Sequence, residues 1–82
     1  MTELKDTIEM MQSADYRARF KAEYWQTMIR HDKLTAMLDK WDKGELNFTP
    51  TCPRSTYTLQ VENMEGYLAV LEARAVMEGV EL

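Results

Sequence analysis

The 82-residue sequence is poor in residues that break helices or carry chemistry: two prolines, three glycines, one cysteine and one histidine. Cys52 has no mate for an intramolecular disulfide, so nothing requires an oxidising compartment. It stands beside Pro53 with no neighbouring base in sequence, which argues against a nucleophile. His31 and Cys52 do not supply the ligand number or spacing of a zinc site, so no metal is expected. No stretch approaches the roughly 18 uninterrupted apolar residues of a membrane span. The N-terminus, MTELKDT, lacks the basic-then-apolar order of a signal peptide, and the expected location is cytoplasmic. Cations are also in deficit. Ten basic against 14 acidic side chains leave a net charge of −4, which argues against a binder of long DNA or RNA while leaving room for a small anion held by a few local cations. With no Gly-rich phosphate loop, no paired-carboxylate signature and no meaningful Ser-His-Asp order, the chain is expected to be no enzyme and to need no cofactor.

What is present is helix. Apolar residues make up 45% of the chain and charged residues 29%, the balance of a globular protein rather than a disordered tail. A chain this short forms one domain and buries only about 60% of its unfolded surface, so self-association would help it. From Tyr16 to Lys43 there is no Gly or Pro, and Phe20, Tyr24, Thr27, His31, Leu34, Leu38 and Trp41 recur with a period of 3.5, apolar at both ends and polar in the middle. About 28 residues at 1.5 Å each make a rod of roughly 42 Å, which needs an equally long neighbour. Tyr57, Val61, Met64, Leu68, Leu71 and Ala75 supply the matching seam. Tyr67 and Val70 widen it, which suggests contact with more than one element.

The expected architecture is all-α: an antiparallel hairpin of two long helices behind a short N-terminal helix, in one domain, and oligomeric. The boundaries read as helix 3–12, helix 14–43, loop 44–53 and helix 54–78. Thr2 can cap the first helix, whose Leu4, Ile8 and Met11 stripe is expected to dock against the long helices or another subunit. Ser13-Ala14-Asp15 marks a break or bend, with one continuous helix over 3–43 as the competing reading; Gly44 reads as a left-handed C-cap and Gly79 as the end of the last helix. Leu46 and Phe48 are expected to tuck over the end of the hairpin. Trp25 and Met28, lying off the seam, suggest a second interface. His31 reads as a hydrogen-bonded interior residue, and Glu62, Glu65, Glu72, Asp39 and Asp42 as solvated faces.

One local charge bias stands out, Arg17, Arg19 and Lys21, with Arg30 and Lys33 farther along. Arg19, Arg30 and Lys33 fall on one broad face, because steps of 11 and 3 nearly close whole turns; that face reads either as a phosphate seat or as cations ion-paired with neighbours such as Glu23 and Asp32. Tyr16 lies one turn before Arg19. An aromatic ring at a helix start beside arginines can stack on a nucleobase while guanidinium groups and free amides hold phosphate oxygens.

The pattern Tyr16-x-x-Arg19-Phe20-x-x-Glu23, then Arg30-x-x-Lys33-Leu34-x-x-x-Leu38, Pro53 and Gln60-x-x-x-Met64-x-x-Tyr67-x-x-x-Leu71-x-x-Arg74, resembles small bacteriophage proteins of the helical-hairpin type. These include the anti-CBASS and anti-Thoeris sponges. The resemblance covers residues 16–75 and implies a homo-oligomer that sequesters a cyclic di- or trinucleotide immune signal at subunit interfaces, without cleaving it. Carried over, Tyr16 becomes a stacking platform, Arg19 and Lys33 phosphate partners, and Arg30 and Arg74 further ligand-binding candidates. An alternative from the residues alone is a helical protein-interaction or structural accessory module with no small-molecule ligand.

Overall fold

In the computed structural model, which describes residues 3–82, the chain is all-helical and forms an antiparallel hairpin. A 3-10 turn, Leu4–Thr7, runs into a single α-helical turn, α1 (Ile8–Met11); the long helices are α2 (Tyr16–Asp42) and α3 (Arg54–Glu78). The expected Thr2 cap lies outside the described residues. Glu3 caps the first turn through a reciprocal box with Asp6, which satisfies amide groups that the start of a helix otherwise leaves open. Among the described residues no helix is long and apolar enough to cross a membrane.

The break between α1 and α2 follows from side-chain capping. Ser13 Oγ accepts from the Asp15 amide, and Asp15 Oδ1 accepts from the Arg17 amide, each at 3.0 Å. These bonds offer the backbone an alternative to helix and restart it at Tyr16. At the far end of α2, Gly44 has φ 72°, while the Glu45 amide reaches Lys40 O at 2.8 Å and the Gly44 amide reaches Trp41 O at 2.9 Å. This is the Schellman arrangement, which a residue with a Cβ enters only under strain. The same device ends α3: Gly79 has φ 69° and the Val80 amide donates to Ala75 O at 2.9 Å. It turns Val80 back into the core. Replacing Gly79 by alanine is expected to cost about 1 kcal/mol, read as a lower urea midpoint at unchanged m-value.

The two seams meet as the periodicity requires. Phe20, Tyr24, Leu68, Leu71, Ala75 and Val80 form the buried cluster, with Leu71 at 0% exposure. Leu38 is buried farther along α2, beyond which Trp41 meets Tyr57 edge-on at 5.8 Å. Trp25 and Met28 pack partly against the core cluster, and Trp25 stands edge-on to Tyr24 at 5.2 Å. The apolar surface expected to form a second interface is thus largely absorbed within the chain.

The N-terminal segment docks differently from its apolar pattern. Ile8 and Met11 remain exposed and Leu4 is only partly covered, whereas Thr7 is 1% exposed. Thr7 Oγ1 donates to Leu4 O at 2.7 Å and accepts from Gln26 Nε2 at 3.1 Å. Gln26 is flanked on α2 by buried Ala22 and Ile29, so a hydrogen-bonded hydroxyl, not a leucine stripe, fits this narrow seat. In the loop, Leu46 is half-covered but Phe48 is exposed. The hairpin end is instead stapled by Arg54, whose Nε and Nη2 donate to Asp42 Oδ1 and Oδ2 at 3.1 and 3.2 Å.

Candidate functional site

The start of α2 and the end of α3 come together at one end of the hairpin, because antiparallel packing brings Tyr16 beside Arg74 and Glu78. Arg74 Nη2 donates to Tyr16 Oη at 2.8 Å, Tyr16 Oη donates to Glu78 Oε1 at 2.8 Å, and Arg74 Nε donates to Glu78 Oε2 at 3.1 Å. The guanidinium carbon of Arg74 lies 4.8 Å from the Phe20 ring centroid, a cation–π contact that orients it. The Tyr16 ring, 6.2 Å from Phe20 and tilted by 58°, keeps Tyr16 47% exposed. The hydrogen bond from Tyr16, and then the pairing with Arg74, hold the Glu78 carboxyl below its ordinary range; Glu78 in turn raises Arg74.

Three further cations ring this end. Arg17 Nη1 donates to Gly79 O at 3.1 Å, and Arg19 Nη1 donates to Ser13 O at 2.8 Å. Arg17 and Lys21, one turn apart on α2, line an open cleft of about 360 Å³ with Gly79, Val80 and Glu81. Arginines tied to single carbonyls keep donors to spare, whereas Arg74 already has two donors engaged and the Glu78 carboxylate beside it as a counter-charge.

The five residues singled out from sequence do not form one site within the chain. Tyr16 and Arg74 touch, and Arg19 stands on the adjoining flank. Arg30 lies roughly 21 Å and Lys33 roughly 26 Å along α2 from Tyr16 at 1.5 Å per residue. Arg30 instead lines a cleft of about 310 Å³ beneath the N-terminal segment with Leu4, Thr7, Ile8, Met11 and Gln26. Lys33 is exposed on the outer surface. Sharing a helical face does not make residues near neighbours when 11 or 14 positions separate them. Glu78 was missed, although its spacing of four from Arg74 marks an ion pair. Arg17 and Lys21, noticed as charge, gained a role only when the tail folded back over them.

The middle of the seam carries a second polar constellation. His31 Nδ1 lies 3.0 Å from Asp32 Oδ1 and Nε2 lies 3.0 Å from Glu65 Oε2, with the side chain only 15% exposed. Two carboxylates at the two ring nitrogens match the imidazolium, in which both nitrogens donate. The Asp32 bond, ahead of the opposing effect of burial and the bond to Glu65, raises the His31 pKa above 6.5. Tyr24 Oη donates to Glu72 Oε2 at 2.7 Å, and burial, then this carboxylate, push the phenol up to about 12. Glu65, Glu72 and Asp42 are therefore partners across the hairpin, not merely solvated faces.

A raised His31 pKa favours the fold most fully below the unfolded value near 6.5, and this contribution disappears as pH rises through the folded-state value. The thermal midpoint is therefore expected to carry a falling component above pH 6.5 that is absent in His31→Gln. Matching slopes for the two proteins across that window would contradict the assignment. Among the described residues, no cluster of three His, Cys, Asp or Glu could hold a metal ion.

A helical hairpin with a cationic, tyrosine-bearing end is the class of protein that this fold and site define. The chain belongs to the Sequestin family: the family model matches residues 14–77, which include nearly all of both long helices. The family name suggests sequestration of a molecule, compatible with a sponge. No curated protein and no solved structure matches the chain.

Proposed function

We propose that the protein is a phage-type anti-defence sponge that captures a cyclic oligonucleotide immune signal in the host bacterial cytosol and holds it without cleaving it. The observation that carries this reading is the Sequestin match, which includes Tyr16, Arg19 and Arg74. The geometry adds a chemical reason. A partly exposed tyrosine ring supplies a stacking face, and the cations around it supply donors for phosphate oxygens. Capture requires no acid–base pair or nucleophile, only a surface more complementary to the ligand than water is.

Within this reading the chain works as a homo-oligomer. Arg30 and Lys33 lie too far from Tyr16 to serve one small ligand in the same subunit, but a neighbouring copy could bring them to it. Isothermal titration against a panel of cyclic di- and trinucleotides tests the proposal. Saturable binding to one class, weakened by added salt as screened phosphate contacts require, is the expected result. Absence of binding across the panel would remove the proposal and favour an accessory module that acts through protein contacts.

A further inference from the structure

Helix α3 buries Leu68, Leu71 and Ala75 against α2, yet it carries a second apolar set on its outer side, where an ordinary surface helix turns its charges to solvent. Between Glu65 and Glu78 its four charged residues all bond toward α2: Glu65 to His31, Glu72 to Tyr24, and both Arg74 and Glu78 to Tyr16. What remains outside is Gly66, Ala69, Val70, Ala73, Val76 and Met77, all exposed and spaced as one helical stripe. Val76 is 83% and Met77 77% exposed. A Cβ added at Gly66 would meet nothing within 4 Å, so no part of the described chain covers this face.

We infer that this outer face of α3 is the surface on which a second copy of the chain docks, α3 against α3 in antiparallel orientation about a two-fold axis. The proposal rests on the self-association in the functional reading and supplies its surface. Two observations select a second copy. First, the stripe is self-complementary when read backward: Gly66 falls opposite Met77 of the second copy, Tyr67 opposite Val76, and Val70 opposite Ala73. Gly66 with Met77 and Val70 with Ala73 set a small residue against a larger one across the isologous axis, and the small residues let the helix axes approach to about 8 Å. Second, a chain of net charge −4 repels its own copies except through an uncharged face, and this stripe has no charge.

The pairing also bears on the ligand-binding end. Arg74 adjoins the stripe and falls opposite Ala69 of the second copy, which brings the two Arg74 residues within about 8 Å of one another along the axis at 1.5 Å per residue.

Sedimentation equilibrium of the full chain under reducing conditions, with no nucleotide added, tests the surface apart from the ligand. The wild type is expected to show concentration-dependent association above the 9.6 kDa of one chain. Ala73→Glu should weaken that association at least tenfold while preserving the helical far-ultraviolet spectrum. Gln60→Glu, which adds the same charge to α3 outside the overlap, should leave it unchanged. Should Ala73→Glu fail to fold, Met77→Lys near the helix end provides the same reading. A wild type that stays at one chain mass at every concentration, or association that survives a charge on the stripe, would overturn the proposal. Loss of the sponge reading through absent nucleotide binding would leave this measurement untouched.

Discussion

Leu71→Ala is expected to destabilise the fold by about 2–5 kcal/mol, the range for removing a fully buried leucine and leaving a cavity behind. Leu71 has no exposed surface and lies in the cluster that joins Phe20 and Tyr24 on α2 to Leu68, Ala75 and Val80. Its neighbours cannot collapse freely into the gap. Tyr24 is held by its bond to Glu72, Phe20 lies under Arg74, and Val80 is fixed by the turn at Gly79. A domain this small has little stability to spare, so much of the population should unfold at physiological temperature. Chemical denaturation reads the effect directly. A loss under about 1 kcal/mol would mean that the end of the hairpin is not the anchor of the fold.

The second large effect concerns capture. Tyr16→Ala is expected to weaken nucleotide binding by roughly 1–3 kcal/mol, the usual worth of a base stacked on an aromatic ring. Tyr16→Phe separates the two jobs of the side chain: it keeps the ring but removes the hydroxyl that links Arg74 to Glu78. Phenylalanine should therefore retain most of the stacking contribution. It should also release Arg74 from one competing partner. If Tyr16→Phe loses as much affinity as Tyr16→Ala, the hydroxyl network rather than the ring face holds the ligand. If neither variant changes affinity, the ligand lies elsewhere, and the cleft beside Arg30 becomes the next candidate.

The hairpin was legible because its information is periodic and local. The seams from Phe20 to Trp41 and from Tyr57 to Ala75, the two glycine caps and the Ser13–Asp15 break each follow from residue type and spacing, and the structure uses them so. Polar placement was less legible. Nothing in the spacing of Leu4, Ile8 and Met11 says that Thr7 takes the buried seat. Nor does it say that Glu65 and Glu72 reach across to His31 and Tyr24, since such pairs depend on the register between helices distant in sequence. The site was readable in part. Tyr16 and Arg74 converge because antiparallel seams force their ends together, while Arg30 and Lys33 share a face with Arg19 yet lie about three and four turns away. The outer face of α3 was half-visible in Tyr67 and Val70. Its lack of charge between Gly66 and Met77 follows from Glu65, Glu72, Arg74 and Glu78 all bonding to α2, a matter of register between the helices.

Release of bound nucleotide tests the central claim most directly. The protein is saturated with the cyclic nucleotide it binds, freed of excess by gel filtration, incubated and then denatured, and the released small molecule is identified by mass spectrometry. The account predicts that the intact cyclic molecule is recovered in fixed proportion to protein, however long the complex stands. Recovery of a linear or shortened product, or of no nucleotide at all, would contradict it.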